Sequence, residues 1–215
     1  MTAPPLPPLA DLLVSGIDTG VGKTYVTAAL AAACAASGRR IAVLKAAQTG
    51  DDDDAAWIAA RVPGIVVRTA LRYAAPLAPV VAARLEGAPE PRLEPIVAAA
   101  RELRAGADGL LVEGSGGLLV PINTRQTFAD LALALALPLL IVARPGLGTL
   151  NHTALTVEVA RARGVEVAGV IVCGTSADPE LAERTNLAEL QRLAPVLATV
   201  PHDPDGWPAP DMVFA

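Results

Sequence analysis

The stretch Gly16-Ile17-Asp18-Thr19-Gly20-Val21-Gly22-Lys23-Thr24 carries residue types at a spacing that implies phosphate chemistry. It ends as a phosphate-binding loop ends. Gly20 and Gly22 let the backbone amides turn inward around phosphate oxygens, the Lys23 ammonium reaches terminal phosphates, and the Thr24 hydroxyl suits Mg²⁺. A helix opening at this point adds favourable charge for an anion. The spelling is unusual: the common pattern has a glycine where Ile17 stands, and here the glycine is one step earlier, at Gly16.

Further groups recur downstream. Lys45, in Leu44-Lys45-Ala46-Ala47-Gln48-Thr49-Gly50, either stabilises charge on a transferring group or simply finishes a strand at the surface. Thr49-Gly50 reads as a loop able to contact a small substrate. The run Asp51 to Asp54 reads as a solvated, helix-capping loop at Asp51 and Asp52. Clustered carboxylates repel and are relieved by a divalent cation, and Asp54, beside the helix start, is the candidate ligand, with Asp53 the alternative. Glu113 ends an apolar run and precedes Gly114-Ser115-Gly116-Gly117, read as a flexible loop. Gly146 to His152 leads into a helix whose free amides suit an anionic group, or whose first turn Thr149 merely caps. His152 is given no chemical role.

The elements that must position these groups follow from the apolar pattern. Strands are expected at Leu12–Val14, Ile41–Lys45, Gly109–Glu113, Leu139–Ala143, Val167–Val172 and Val196–Val200. Helices are expected at Thr24–Ser37, Ala55–Arg61, Pro79–Glu86, Leu93–Ala105, Thr127–Ala136, Thr149–Arg163 and Pro179–Leu193. This alternation predicts an α/β fold: right-handed crossovers and a mostly parallel sheet with helices on both faces. Ligands on such a sheet bind at the carboxyl ends of strands, and every group above follows a strand or opens a helix there. With 215 residues, 53% of them hydrophobic, and no dividing linker, one domain over 1–215 is expected, residues 1–10 being a flexible tail. The net charge of −5 and the absence of Lys/Arg clusters exclude a nucleic-acid partner. The longest apolar runs are broken by Asp130 and Pro138, which excludes a membrane span. The N-terminus lacks a basic segment and so is no secretory signal. Cys34 and Cys173 read as free thiols of a reducing cytoplasm.

The motifs GIDTGVGKT, KAAQTG, VEGSGGLLVPI and LGTLNHTALT, in this order and spacing, resemble those of the dethiobiotin synthetase family, over nearly the whole chain from Leu12 to about Pro204. The variant phosphate loop is typical of that family. The resemblance implies a P-loop fold and ATP-dependent carboxylation and ring closure of 7,8-diaminononanoate with CO₂, through a carbamate and a carbamic–phosphoric anhydride, with release of ADP and phosphate. It implies catalytic roles for Lys45, Lys23 and Thr19, and Mg²⁺ on Thr24, Asp54 and Glu113. It implies nucleotide contacts at Gly20, Val21, Gly22, Lys23, Thr24 and Tyr25, at Glu113, Gly114, Ser115 and Gly116, and at Gly174, Thr175, Pro201, His202 and Asp203. Substrate contacts fall on Thr19, Lys45 and Thr49. Gly148, Thr149, Leu150 and Asn151 are expected to bind the substrate carboxylate across a homodimer interface.

The chain departs from the family at three places, one of them the short loop between Thr49 and the acidic run, which leaves Asp53 and Asp54 as alternatives. Ala46 follows the strand-two lysine in place of the usual proline. Cys173-Gly174-Thr175 stands where several relatives carry an adenine-reading asparagine. A partitioning or site-placing ATPase of the same broad fold is the alternative reading. Its loop carries a signature lysine at the position of Asp18, and an acid there cannot supply the cross-subunit positive charge.

Overall fold

The computed structural model describes residues 11–202 and the backbone of 213–214. The tail expected over 1–10, Asp203 and most of the C-terminal tail lie outside the described residues. The element order is β1 (Asp11–Gly16), α1 (Lys23–Ala36), β2 (Ile41–Thr49), α2 (Asp54–Arg61), β3 (Val66–Tyr73), α3 (Pro79–Leu85), α4 (Leu93–Ala105), β4 (Gly109–Gly117), α5 (Phe128–Leu135), β5 (Leu139–Ala143), α6 (Thr149–Ala162), β6 (Val167–Thr175), α7 (Leu181–Leu193), β7 (Val196–Pro201) and β8 (Val213–Phe214).

The strands form one sheet in the order β3-β2-β4-β1-β5-β6-β7-β8. β1 to β7 run parallel, and β8 pairs antiparallel to β7. Both faces are covered, so the strands read as continuous apolar runs rather than as alternations. Along β1, Leu12 and Val14 point into a core shared with α1 (Val26, Leu30), while Leu13 points into the opposite core with α4 (Ile96), α5 (Phe128, Leu131) and α6 (Val157). Small side chains let the helices lie close: Ala28, Ala29 and Ala31 of α1 are buried.

Several expectations are corrected. Val66–Tyr73, for which the sequence suggested no element, is β3, an edge strand with Arg68 and Arg72 on its length. β2 does not stop at Lys45. Pairing with β3 carries it to Thr49, which joins Tyr73 in register instead of lying in a loop. Gly114 to Gly117 is likewise not a loop but the second half of β4: Gly117 pairs with Gly16, and the Ser115 hydroxyl donates to the Ala47 carbonyl. In each case a neighbouring strand supplies the ladder that local composition does not announce.

Candidate active site

β1 and β4 are neighbours in the sheet, and the crossover from β1 runs to β2 on one side while the crossover from β4 runs to β5 on the other. This is the switch point at which an open α/β sheet makes its crevice. The loop after β1 enters that crevice. Gly20 and Gly22 have φ of 71° and 90°, left-handed values that glycine adopts without strain. Gly22 also has no room for a side chain: an added Cβ would come within 2.5 Å of Cys173 Sγ at the end of β6. Buried Val21 anchors the loop to the core below.

Sheet register brings the charged groups together. Lys45 of β2 and Glu113 of β4 are Cα partners, and Val14 of β1 lies beside Glu113. Lys45 Nζ is 2.7 Å from Glu113 Oε1, and it also pairs with Asp54 Oδ2 at the start of α2. The Thr24 hydroxyl donates to the same Glu113 Oε1 at 2.9 Å. Glu113 is 0% and Lys45 4% exposed, yet among the described residues Glu113 Oε2 has no hydrogen-bond partner. Buried ion pairs are poor devices for stability, because desolvation offsets their attraction. An unpaired carboxylate oxygen at full burial is costlier still. Both are the features expected of a site whose charge a divalent cation would balance.

The donor set fits Mg²⁺. Among the described residues no group of three His, Cys, Asp or Glu side chains could hold a metal. Mg²⁺ needs none, since it is held by one or two carboxylates, a hydroxyl and substrate phosphates. Glu113, Thr24 and Asp54 supply those. Asp53 also lines the cleft, but its carboxylate is engaged elsewhere: it caps α2 by accepting from Ala56 N at 2.9 Å and pairs with Arg72 at 2.8 Å. Of the two acids, Asp54 is the one paired with Lys45, and Asp53 is the one that caps α2.

The two lysines differ. Burial pushes the Lys23 ammonium below its ordinary value, and Glu113 opposes that shift. Its Nζ donates to the Asp18 carbonyl at 3.1 Å. Burial also pushes Lys45 down, but Glu113 and Asp54 together raise it above the ordinary value, so it stays a cation.

A cleft of about 570 Å³ opens over these groups, lined by Thr19, Gly20, Gly22, Lys23, Thr24, Tyr25, Lys45, Thr49, Asp54, Ser115 and Gly116. Gln48 and Trp57 also line it, and neither was singled out in the sequence. Gln48 Oε1 accepts from Asp54 N at 3.3 Å. Trp57, one turn along α2 from Asp54, lies 6.1 Å from Tyr25 between ring centroids and carries the Arg61 guanidinium 3.8 Å above its ring. The i, i+3 spacing from Asp54 was the available signal for Trp57. Gly114 is not among the residues lining this cleft, and the Phe128 ring lies 3.3 Å from where its Cβ would be.

Thr19 also lines a second, more apolar hollow of about 560 Å³, with Leu118, Leu119, Val120, His152 and Leu155. Gly148 to Asn151 lie nearby, at the start of α6, where Gly148 is the N-cap at φ 90° and the buried Thr149 hydroxyl has no hydrogen-bond partner among the described residues. Gly174, Thr175, Pro201 and His202 are grouped on the far side of the phosphate loop. Thr175 pairs with Pro201, and its carbonyl accepts from His202 N at 2.8 Å. Thr175 opens onto a smaller hollow of about 250 Å³, and the Asn186 amide there is already committed to the Pro145 and Gly146 carbonyls. A hollow of about 510 Å³ at the amino ends of β2 and β3 is remote from these ions, with its Arg40 and Arg68 tied to Asp108 and Glu102. The sheet rule and the buried charges both favour the carboxyl edge as the seat of chemistry.

Residues 10–208 match the AAA domain family AAA_26. The ATP-dependent dethiobiotin synthetase BioD of Saccharopolyspora erythraea is 50% identical over 208 residues, covering 94% of this chain and 91% of that protein. The protein of the same name from Rhodococcus erythropolis is 47% identical over 201 residues, covering 90% and 88%. Among solved structures, the septum site-determining protein MinD with Mg-ADP from Pyrococcus horikoshii superposes with a TM-score of 0.58 at 20% identity, covering 90% of this chain and 82% of that one. A ParA family ATPase from Chlorobium tepidum gives 0.56 at 14% identity, covering 92% and 86%. At such identities the partitioning and septum-site ATPases share the fold alone. With half its residues identical to a dethiobiotin synthetase along nearly its full length, this chain belongs to the dethiobiotin synthetase family.

Proposed function

We propose that the protein converts 7,8-diaminononanoate, CO₂ and ATP into dethiobiotin, ADP and phosphate. The observation that carries this reading is the buried Lys45–Glu113–Thr24 cluster at the floor of a phosphate-loop cleft. Its chemistry suits phosphoryl transfer, in which a protein contributes mostly position and charge. One amine of the substrate takes up CO₂ as a carbamate. A carbamate oxygen attacks the γ-phosphorus of ATP, and ADP leaves. The second amine attacks the carbamoyl carbon of the mixed anhydride, phosphate departs with the C–O bond electrons, and the ureido ring closes.

Within that sequence Lys23 and the amides of Gly20 to Thr24 hold the ATP phosphates. Thr24, Asp54 and Glu113 would hold Mg²⁺, which would neutralise charge on the phosphate oxygens. Lys45, kept cationic by its carboxylate neighbours, acts as a fixed positive charge for the carbamate and not as a proton acceptor. Thr19, facing both hollows, borders the reacting carbamate, and Thr49 touches the diamine. The apolar hollow beside Thr19 suits the aliphatic chain of the substrate, and the amides of Gly148 to Asn151 suit its carboxylate.

The protein works as a single-domain subunit of a cytoplasmic homodimer, in which the α6 start of one copy completes the site of the other. Exposed Leu119, Leu147 and Leu155 on that side form the apolar surface such an interface buries. The deciding assay mixes purified protein with Mg-ATP, bicarbonate and 7,8-diaminononanoate, leaving out each in turn, and follows phosphate and dethiobiotin together. Phosphate release that ignores the diamine would overturn the reading.

A further inference from the structure

Arg144, the first residue after β5, reaches across to the phosphate loop. Its Nη1 donates to Asp18 Oδ2 at 3.2 Å, and its Nη2 lies 3.3 Å from His152 Nδ1. A guanidinium only donates, so His152 Nδ1 is the acceptor. Asp18 is itself doubly engaged. Its Oδ1 accepts the Thr19 amide at 2.8 Å, and its main-chain carbonyl accepts Lys23 Nζ at 3.1 Å. The far end of this series is also held: Asn186 of α7 donates Nδ2 to the Pro145 carbonyl at 2.9 Å and to the Gly146 carbonyl at 3.2 Å, so the segment bearing Arg144 is pinned from below. The two loops leave adjacent strands, Gly16 pairing with Val142, so the reach is short.

We propose that Arg144 is a positioning residue for the phosphate loop, clamping the Asp18 carboxylate so that Thr19 and Lys23 are in place before a nucleotide arrives. This rests on the reading of the cleft as the ATP site. A loop with left-handed glycines at 20 and 22 has many conformations to lose on binding. A clamp at its head removes some of them beforehand, and such preorganisation appears as affinity. The same guanidinium lies 3.7 Å from where a Cβ on Gly148 would be, at the start of α6. A competing role, direct attraction of the anionic end of the substrate, therefore makes a different kinetic prediction.

The test measures the Kd of Mg-ADP by calorimetry, and KM for ATP and for the diamine, in Arg144→Gln, Asp18→Asn, the double variant and Arg144→Lys. Asp18→Asn keeps an oxygen for the Thr19 amide and removes the charge. Each single variant is expected to weaken Mg-ADP binding about threefold to fivefold, the scale of a half-exposed ion pair. KM for ATP should rise in parallel while KM for the diamine holds. The double variant should be no worse than either single one, because both remove one interaction. Arg144→Lys should restore most of the affinity. Additive losses, an unchanged Kd, or a rise confined to the diamine KM would each overturn the clamp, the last in favour of substrate attraction. Nucleotide binding is read without product formation. Wild-type protein that binds Mg-ADP but makes no dethiobiotin would therefore defeat the activity reading and leave the clamp to be decided by the variants.

Discussion

At the scale of single residues, the site depends on charges held where water cannot screen them. Lys23 is desolvated and, among the described residues, its ammonium donates to the Asp18 main-chain carbonyl, so its charge is available to incoming phosphates. Lys23→Ala should lower the rate of phosphate release by about 10²–10³-fold, the loss seen when one preorganised stabilising group is removed, with an unchanged far-ultraviolet circular dichroism spectrum. A folded variant with normal turnover would remove Lys23 from the mechanism. Cys173 lies under Gly22, and burial pushes its thiol from an ordinary 9.0 up to about 11. The thiolate is the reactive form, so iodoacetamide at pH 8 should leave Cys173 unmodified in the native protein and label it after unfolding. The linkage has a definite sign. The folded state keeps a proton that the unfolded state releases, so this thiol's contribution is complete below pH 9.0 and is lost as pH rises through about 11. Beyond it, Gly174 and Thr175 offer a base only backbone groups and one small hydroxyl. If these two residues are what faces the base, as the family resemblance implies, the site holds no side-chain amide and discriminates weakly among bases. The ratio of kcat/KM for ATP over GTP, CTP and UTP should therefore stay below about a thousandfold, or roughly 4 kcal/mol; a larger ratio would mean that another group reads adenine.

At the scale of elements, adjacent acids at the start of α2 have separate tasks because successive residues of a helix start point in different directions. Asp53 is the N-cap and the partner of Arg72, whereas Asp54 turns inward to Lys45. Asp53→Ala should cost about 1 kcal/mol of stability, the usual worth of such a cap, in chemical denaturation, and leave the Mg²⁺ requirement alone. Asp54→Asn should raise the Mg²⁺ concentration for half-maximal turnover while changing the denaturation midpoint less. An exchange of these two phenotypes would shift the metal ligand to Asp53.

At the scale of the whole molecule, Leu155 of α6 and Leu119 after β4 line the Thr19 hollow at 54% and 46% exposure, and Leu147, just before α6, is 87% exposed. Exposed leucines at a hollow are what the proposed dimer interface would cover. Sedimentation should give twice the mass of 21.9 kDa. Leu155→Lys should shift the protein toward monomer and raise KM for the diamine more than KM for ATP. A fully active monomer would place the complete substrate site within one chain.

Fold class, phosphate loop and family were legible in the linear sequence because they rest on local rules. Buried parallel strands read as apolar runs, helices as alanine-rich stretches, and Gly22-Lys23-Thr24 as a turn into a helix. Lys45, Glu113 and Thr24 could be named but not joined: their contact depends on the β2–β4 register, which sets residues 68 apart side by side. β3 was missed because an edge strand carrying arginines lacks the apolar run of its buried neighbours, and the length of β2 was missed with it. The division of labour between Asp53 and Asp54 is a matter of helix phase, and the Arg144 bridge to Asp18 spans 126 positions that only adjacent strands bring within reach. Local composition chooses elements, whereas register and crossover choose partners. The chemistry of this protein is made of partners far apart in the chain, so it appeared only when the sheet was assembled.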